Sequence, residues 1–386
     1  MRLRRLQLFD YRNFHRLDLA VSRNLAVFIG ENAQGKSNLL EAIYLLVTMR
    51  AVRADTDVQL IRREIWSDVQ PAARVVGHIE TADGLLKVEV AVVARQGANN
   101  LIATKSVRVN GSARRLADAV GRITAVLFTA DDLETVTGSP SPRRRFIDIA
   151  LSQVDGEYSE ALRQYEKVVP QRNSLLKRIR EGQAGRDELE FWDTKLANHG
   201  GLILHRRAVA LERLGHLAAE AHASLAFDEV LDVRYRPRVD GMDADSFVDQ
   251  SRSAKTLRDC LHLGLNRDIA AGMTLNGPHR DDIEFILDGA SASGFASRAQ
   301  QRTIALALRL AEARFLRERR EEAPLLLLDD ILSEMDGGRR KSVLGALAGM
   351  GQTLVTGTDF DRFPAEFTSE GELLRVEAGT VAPLKA

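Results

Sequence analysis

Gly30-Glu31-Asn32-Ala33-Gln34-Gly35-Lys36-Ser37 follows a short apolar run, Leu25 to Ile29. It precedes a helical pattern from Asn38 to Met49, with Leu39, Leu40, Ile43, Leu46 and Val47 at helical spacing. The octapeptide fits G-x-x-x-x-G-K-[ST] in the strand-then-helix setting that the motif needs. Gly30 and Gly35 let the backbone turn its N–H groups inward around phosphate oxygens, and the helix that opens there adds its positive pole. In such a loop Lys36 places an ammonium on the β- and γ-phosphates, and Ser37 holds Mg²⁺. Residues 30–37 are therefore expected to bind ATP with Mg²⁺. A glycine turn with an exposed lysine is the plainer alternative, and the flanking strand and helix weigh against it.

A second stretch points to the same chemistry. Leu325-Leu326-Leu327-Leu328-Asp329-Asp330 is a core strand that ends in two acids. Ligands of α/β sheets collect at the carboxyl ends of strands. Asp329 is placed to hold Mg²⁺ through water, and Asp330 to polarise the attacking water. Taken alone, two acids after a strand also describe an ordinary solvated turn. Ser37 and Asp329 lie 292 positions apart, so a whole lobe intervenes. That spacing resembles ABC-type ATPases of the SMC class, in which two ends of one chain build one head.

Three weaker signals fit that head. Ser297-Arg298-Ala299-Gln300-Gln301-Arg302 precedes a helix whose apolar stripe is Ile304, Leu308, Ala311 and Phe315. Ser297 caps this helix or binds an anion at its positive pole. In ABC-type ATPases such a loop completes the ATP site of a second subunit, which makes Ser297 a catalytic candidate beside Asp330 and Lys36. The usual form is Ser-x-Gly-Gln, and Ala299 adds a methyl where glycine is expected. Ser333-Glu334-Met335-Asp336 resembles the segment that crosses the dimer seam, and Thr356-Gly357-Thr358 the switch that senses the γ-phosphate.

Other segments resemble the RecF family in particular. They are Tyr11-Arg12-Asn13-Phe14; Phe128 to Leu133, continuing through Gly138-Ser139-Pro140 to Arg143-Arg144-Arg145-Phe146-Ile147-Asp148; and Gly277-Pro278-His279-Arg280-Asp281-Asp282. Tyr165 to Asn173 resembles the family's helical lobe. Ala130 stands where proline is expected. The resemblance spans nearly the whole chain. It implies an ABC/SMC-like α/β ATPase head with a mixed sheet, formed by residues 1–130 and 271–386, and a mainly helical lobe at 131–270. It implies an ATP-dependent homodimer with weak ATPase activity, binding DNA where single and double strands meet. It also implies work with RecR and RecO in loading RecA, and a link to replication restart and the SOS response.

Composition sets the outer limits. Lysine plus arginine and aspartate plus glutamate both number 54, so bulk charge does not drive nucleic-acid binding, although a local basic face remains open. Hydrophobic residues make up 45% and aromatics only 5%, so aliphatic side chains must fill the core. One cysteine, Cys260, permits no internal disulfide and fits a reducing compartment. The basic start gives way at once to Asp10, Arg12, Asn13 and His15, and no long apolar run suggests a leader or a membrane span. The expected setting is the cytoplasm.

Along the chain, Leu6 to Val21 alternates as strands do. Val75 to Val93 is strand-like, and Asn110-Gly111 marks a hairpin. Ala125 to Phe128 reads as a buried strand, 155–227 as helices, Ile283 to Leu287 as a strand, and Val355 sits in a final core strand. Candidate DNA contacts are Arg143, Arg144, Arg145, Arg172, Lys177, Arg178 and Arg180, with Arg2, Arg4 and Arg5, each of which also fits a solvated surface. Few aromatics punctuate these stretches, so the expected binding is to the DNA backbone, without base stacking. Competing readings are a generic ABC-type transporter ATPase subunit, which lacks a 155–227 insertion; an SMC-like chromosome-structure protein, which needs long heptads absent here; and a scaffold that keeps ATP unhydrolysed.

Overall fold

The structure, a computed structural model, describes residues 1–97, 100–334, 337–360, 363 and 371–384. Alternating apolar residues give β1 (Arg2–Tyr11) and β2 (Phe14–Ala20), and the short apolar run gives β3 (Leu25–Ile29). Then come α1 (Lys36–Thr48), β4 (Ala72–Thr81), β5 (Gly84–Gln96), β6 (Leu101–Val109), β7 (Ser112–Arg114), α2 (Leu116–Ala119) and β8 (Ala125–Phe128). The middle of the chain forms α3 (Leu133–Thr137), α4 (Pro140–Ser152), α5 (Gly156–Arg180), α6 (Leu189–Leu225), β9 (Leu231–Arg236), α7 (Gln250–Leu263) and α8 (Leu265–Ala271). It continues with β10 (Asp282–Leu287), β11 (Ala290–Ser291), α9 (Ala292–Phe295) and α10 (Arg298–Arg320). The last elements are β12 (Leu325–Asp329), α11 (Gly337–Leu347), β13 (Thr353–Gly357), β14 (Glu372–Glu377) and β15 (Thr380–Pro383).

Two compact units result. One comprises Met1–Asp132 and Leu306–Ala386, the other Leu133–Ala305. The sequence places the return to the first unit near residue 271. The contacts place it inside α10, because β9, β10 and β11 form a sheet of their own that closes the second unit.

The first unit holds two six-stranded sheets. One has the order β2-β1-β4-β5-β6-β7 and is antiparallel throughout. Val75 to Val93 is two strands rather than one, because the chain turns back at Asp83-Gly84, where Gly84 has φ 112°. Asn110 and Gly111, with φ 49° and 80°, make the two-residue turn read from the sequence. The other sheet has the order β15-β14-β3-β13-β12-β8, with β8, β12, β13, β3 and β14 parallel. Its central strands are buried on both faces, and β3 and β12 carry nearly continuous apolar runs. β13 is not the last core strand, since β14 pairs with β3 beyond it.

In the second unit Asp155 caps α5 by accepting from the Tyr158 amide at 2.9 Å. Pro170 removes one donor from this 25-residue helix. A buried stripe through Tyr158, Leu162, Tyr165, Val168, Leu175 and Leu176 holds the helix together across that break. α6 runs for 37 residues, long for a globular helix, and packs on α5 and α7. Gly200 and Gly201 permit close approach, for a Cβ on Gly201 would lie 2.6 Å from the backbone of Ala254 on α7.

Candidate functional site

The residues singled out at the two ends of the first unit meet at one place. β13 lies between β3 and β12, so the loop after β3 and the acids after β12 leave the same edge of the sheet. Ser37 Oγ donates to Asp329 Oδ1 at 2.8 Å. Thr356 at the end of β13, paired in register with Asp329, donates to the same oxygen at 2.9 Å. Asp330 follows in the left-handed region, φ 54°, and its amide donates to the Thr356 hydroxyl at 2.9 Å. That sign of φ takes Asp330 out of the strand's alternation. It joins Glu31 to Asn38 in lining one small cleft.

The loop itself is tightly wound. Ala33 and Gly35 have φ 66° and 111°. Lys36 is almost buried, and its Nζ donates to the carbonyls of Gly30 at 2.5 Å and Glu31 at 2.8 Å. Burial pushes its ammonium below the ordinary lysine range, against the opposing pull of Asp330 and Asp329.

Neighbouring segments fix this loop. A Cβ on Gly30 would lie 2.3 Å from Val376 O, so only glycine fits there. Asn13 Nδ2 donates to Gln34 O at 2.9 Å, and Asn13 Oδ1 accepts from Asn38 Nδ2 at 2.8 Å. The β14–β15 turn, Ala378 and Gly379, meets Gln34 as well: the Ala378 amide donates to Gln34 Oε1 at 2.6 Å. Buried Glu41 on α1 takes a two-pronged contact from Arg12, 2.9 Å on each oxygen, and the amide of Arg53 at 3.0 Å. Arg53 in turn donates to Asp329 Oδ2 at 2.7 Å. Neither Glu41 nor Arg53 stands out in the sequence: Glu41 reads as one polar residue of a helix, and residues 49–57 around Arg53 carry no periodic pattern.

A divalent cation suits this donor set. Ser37 and Asp329 supply one hydroxyl and one carboxylate within 2.8 Å of each other, hard oxygen ligands of the kind Mg²⁺ takes when phosphates complete its shell. Among the described residues no group of three His, Cys, Asp or Glu side chains gathers as a metal cage.

Ser297 belongs to the second unit. It caps α10 reciprocally: its amide donates to Gln300 Oε1 at 2.7 Å, and the Gln300 amide donates to Ser297 Oγ at 3.3 Å. Ala299 sits exposed in the first turn, its carbonyl accepting from Thr303 at 3.0 Å. In Ser333-Glu334-Met335-Asp336, residues 335 and 336 lie outside the described residues, as do the side chains of 333 and 334.

A family model described as RecF/RecN/SMC N terminal domain matches residues 2–362. The chain is 41% identical over 392 residues to the DNA replication and repair protein RecF of Roseiflexus castenholzii, covering 98% of each. It is 34% identical over 386 residues to the protein of that name from Lactobacillus acidophilus, covering 99% of each.

This chain belongs to the RecF family.

A solved structure of the recombination mediator protein RecF with ATP in the RecFOR pathway matches it with TM-score 0.87. The identity is 31%, over 99% of this chain and 97% of that one. An Smc head bound to the C-winged helix domain of ScpA matches with TM-score 0.53 at 15% identity, covering 100% and 98%, and shows a shared fold.

Two of the RecF-like segments, 138–148 and 277–282, meet in the second unit in a buried polar network. Arg207 on α6 is fully buried and donates to Asp148 at 2.8 Å, Asp281 at 3.1 Å, Pro278 O at 2.7 Å and Tyr158 at 3.1 Å. Asp281 also accepts from Tyr235 and, at 2.8 Å, from the Arg238 amide. Arg172 holds Asp193 and Asp268, each at 2.6 Å, and Thr274 at 2.9 Å. His279 sits between Tyr165, 2.8 Å from Nδ1, and the Thr274 carbonyl, 3.1 Å from Nε2. The Thr274 carbonyl only accepts, so Nε2 carries a proton. Burial pushes its pKa down to about 4, with Arg280, Arg144 and Arg172 adding to the shift.

This network removes several basic residues from the expected DNA-binding set. Arg143 is buried and pairs with Asp282 at 2.6 Å; Arg172 is wholly buried; half-buried Arg144 donates to Asp281 O at 2.7 Å. In the first unit Arg4 pairs with Glu80, and Arg5 with Asp18 at 2.5 Å. Arg145, Lys177, Arg178 and Arg180 remain exposed.

Proposed function

We propose that this chain is an ATP-dependent DNA-binding protein of recombinational repair and replication restart. It closes as a dimer on DNA at single-/double-strand gaps and opens again on weak hydrolysis of ATP. It helps RecR and RecO load RecA, and is thereby linked to SOS induction. The observation that carries the reading is the Ser37–Asp329 contact, which joins the phosphate loop to the acid 292 positions away. The relatives' name, DNA replication and repair protein, and the ATP and RecFOR pathway in the matching structure's description support it.

The roles follow from the chemistry of the groups. Backbone N–H groups from Gly30 to Gly35 and the start of α1 receive the phosphates. Lys36 exchanges its two carbonyl acceptors for phosphate oxygens, a charge-assisted contact that is worth more. Ser37 and Asp329 hold Mg²⁺, which neutralises charge on the phosphates. Asp330 orients the attacking water and accepts its proton. Ser297 of a second copy reaches the γ-phosphate, with the methyl of Ala299 narrowing that approach. The same reading assigns the protein to the cytoplasm with no membrane partner. Among the described residues no helix is long and apolar enough to cross a membrane.

Lys36→Ala is the test. Size measurement and gel shift on gapped DNA, with and without ATP, should show an ATP-dependent dimer and ATP-dependent retention for the parent chain and neither for the variant. A folded Lys36→Ala protein that ATP still retains on DNA contradicts the proposal.

A further inference from the structure

The outer face of the antiparallel sheet in the first unit carries a feature that the phosphate site does not use. Cross-strand register aligns Arg16 on β2, Phe9 on β1, Arg74 on β4, Ala91 on β5 and Ser106 on β6 in one row. Neighbouring strands lie about 4.8 Å apart, so the row is about 19 Å long. Phe9 is half-buried, and two guanidinium groups flank its ring: Arg74 at 4.2 Å and Arg16 at 5.9 Å from the centroid. Arg16 and Arg74 are exposed and enter no ion pair among the described residues. They rest on an aromatic face, which leaves their N–H edges and their charge available to another molecule. Beyond Arg74, Ala91 and Ser106 raise no bulk above the sheet, and Ala72, Val93 and Thr104 border the row without charge.

The nearest acids of this face, Asp18 and Glu89, stand in the next row, with Gln7 and Val76, and are offset. Asp18 is clasped by Arg5 at 2.6 Å, Glu80 by Arg4, and Glu89 stands directly across from Arg108. The third row, Arg5, His78 and Lys87, is basic. Burial, then Lys87 and Arg5, hold the His78 imidazole below its ordinary pKa, against the opposing pull of Asp18. A low shelf with a π surface, flanked by unpaired guanidinium groups, matches single-stranded nucleic acid. Bases stack on aromatic rings and arginine planes while phosphates meet the N–H edges. A duplex hides its base faces and has no use for the ring. Such a platform escapes sequence reading, because Phe9, Arg16 and Arg74 become neighbours only across strands.

We infer that Phe9, with Arg16 and Arg74, forms a stacking platform for single-stranded DNA on the outer face of this sheet. The inference rests on the DNA-binding reading above and names the surface that would take the unpaired strand of a gap.

Three folded variants test it: Phe9→Ala, Phe9→Trp and Arg74→Gln. The probes are labelled oligothymidylate and a blunt duplex of equal length. Phe9→Ala should weaken oligothymidylate binding about five- to a hundredfold, the range of one lost base stack, and change duplex binding less than about twofold. In Phe9→Trp, oligothymidylate should quench the added indole emission beyond any change from Trp66 and Trp192 in the parent chain. Arg74→Gln should weaken oligothymidylate and flatten its salt dependence. Oligothymidylate that binds normally to Phe9→Ala, or binds Phe9→Trp without quenching the new indole, overturns the platform. Equal losses on single strand and duplex overturn it too, in favour of a general phosphate surface. Should Phe9→Ala fail to fold, the quenching and Arg74→Gln results decide. A parent chain that binds duplex but not oligothymidylate defeats the platform alone. One that binds no DNA with ATP defeats the underlying reading.

Discussion

The phosphate-loop centre of the first unit and the arginine network of the second both draw on motif residues, yet they treat charge in opposite ways. Arg207 is withdrawn from water and answered by carboxylates, a phenol and a carbonyl. Around Lys36 the ammonium is held only by carbonyls of its own loop, beside two backbone positions of positive φ without glycine, Ala33 and Asp330. Sparsely populated backbone persists where surrounding contacts impose it, and here Asn13, the Ala378-Gly379 turn and Thr356 impose it. A motif can therefore mark chemistry or architecture. The distinguishing sign is whether its polar atoms are satisfied by the fold or left facing a cleft.

The sharpest way to break that contrast is to remove one charge from the saturated network. Arg207→Ala leaves buried Asp281 and half-buried Asp148 without their guanidinium partner. Denaturant unfolding should show a loss of about 3–5 kcal/mol, the scale for stripping one member from a buried ion cluster. A loss under about 1 kcal/mol means the network is not structural.

Protonation attacks the same region more gently. His279 is neutral in the folded chain with a pKa of about 4, against about 6.5 when exposed. The unfolded chain therefore binds the extra proton between these values, and stability falls as pH drops from about 6.5 to about 4. The full window corresponds to about 3 kcal/mol. Replacing His279 by Gln should flatten this part of the pH–stability curve. An unchanged slope indicates that other groups set it.

Ser297 tests the contrast at its weakest point, since its hydroxyl caps α10 within the chain and is also proposed to act in a second copy's site. Ser297→Ala should cost about 1 kcal/mol of stability through the lost cap. Asp at this position restores the cap but repels phosphate, so ATP-driven dimerisation should return with neither variant. Normal dimerisation by Ser297→Asp confines the residue to capping.

How much could be read without coordinates follows the same division. The loop at 30–37 was legible because phosphate chemistry needs fixed residue types at fixed local spacing. Asp329 was legible because an apolar strand ending in acids is a local pattern. Arg53 was not, since its contact with Asp329 spans 276 positions and its surroundings have no period. Arg143 and Arg172 read as surface charge because an arginine on an amphipathic helix usually is; only the arrival of Asp282, Asp193 and Asp268 makes them core. The β4–β5 turn is hard to read because both sides of Asp83-Gly84 are strand-like, and only a change of phase, from Val75 and Ile79 to Leu86, Val88, Val90 and Val92, marks it. β9 and β14 were overlooked as short strands whose partners are distant in sequence.

The central claim is that Asp329 and Asp330 divide the work at one ATP centre, the first with Ser37 on Mg²⁺, the second on water. Nucleotide affinity, ATP turnover and dwell time on gapped DNA, measured together for Asp329→Asn and Asp330→Asn, test it most directly. Asp330→Asn should bind ATP normally, hydrolyse it at least tenfold more slowly, about 1.4 kcal/mol in barrier, and stay longer on DNA as a dimer. Asp329→Asn should lose ATP affinity and its Mg²⁺ dependence. An Asp330→Asn protein that turns over ATP at the parent rate, or loses ATP binding as Asp329→Asn does, contradicts the assignment.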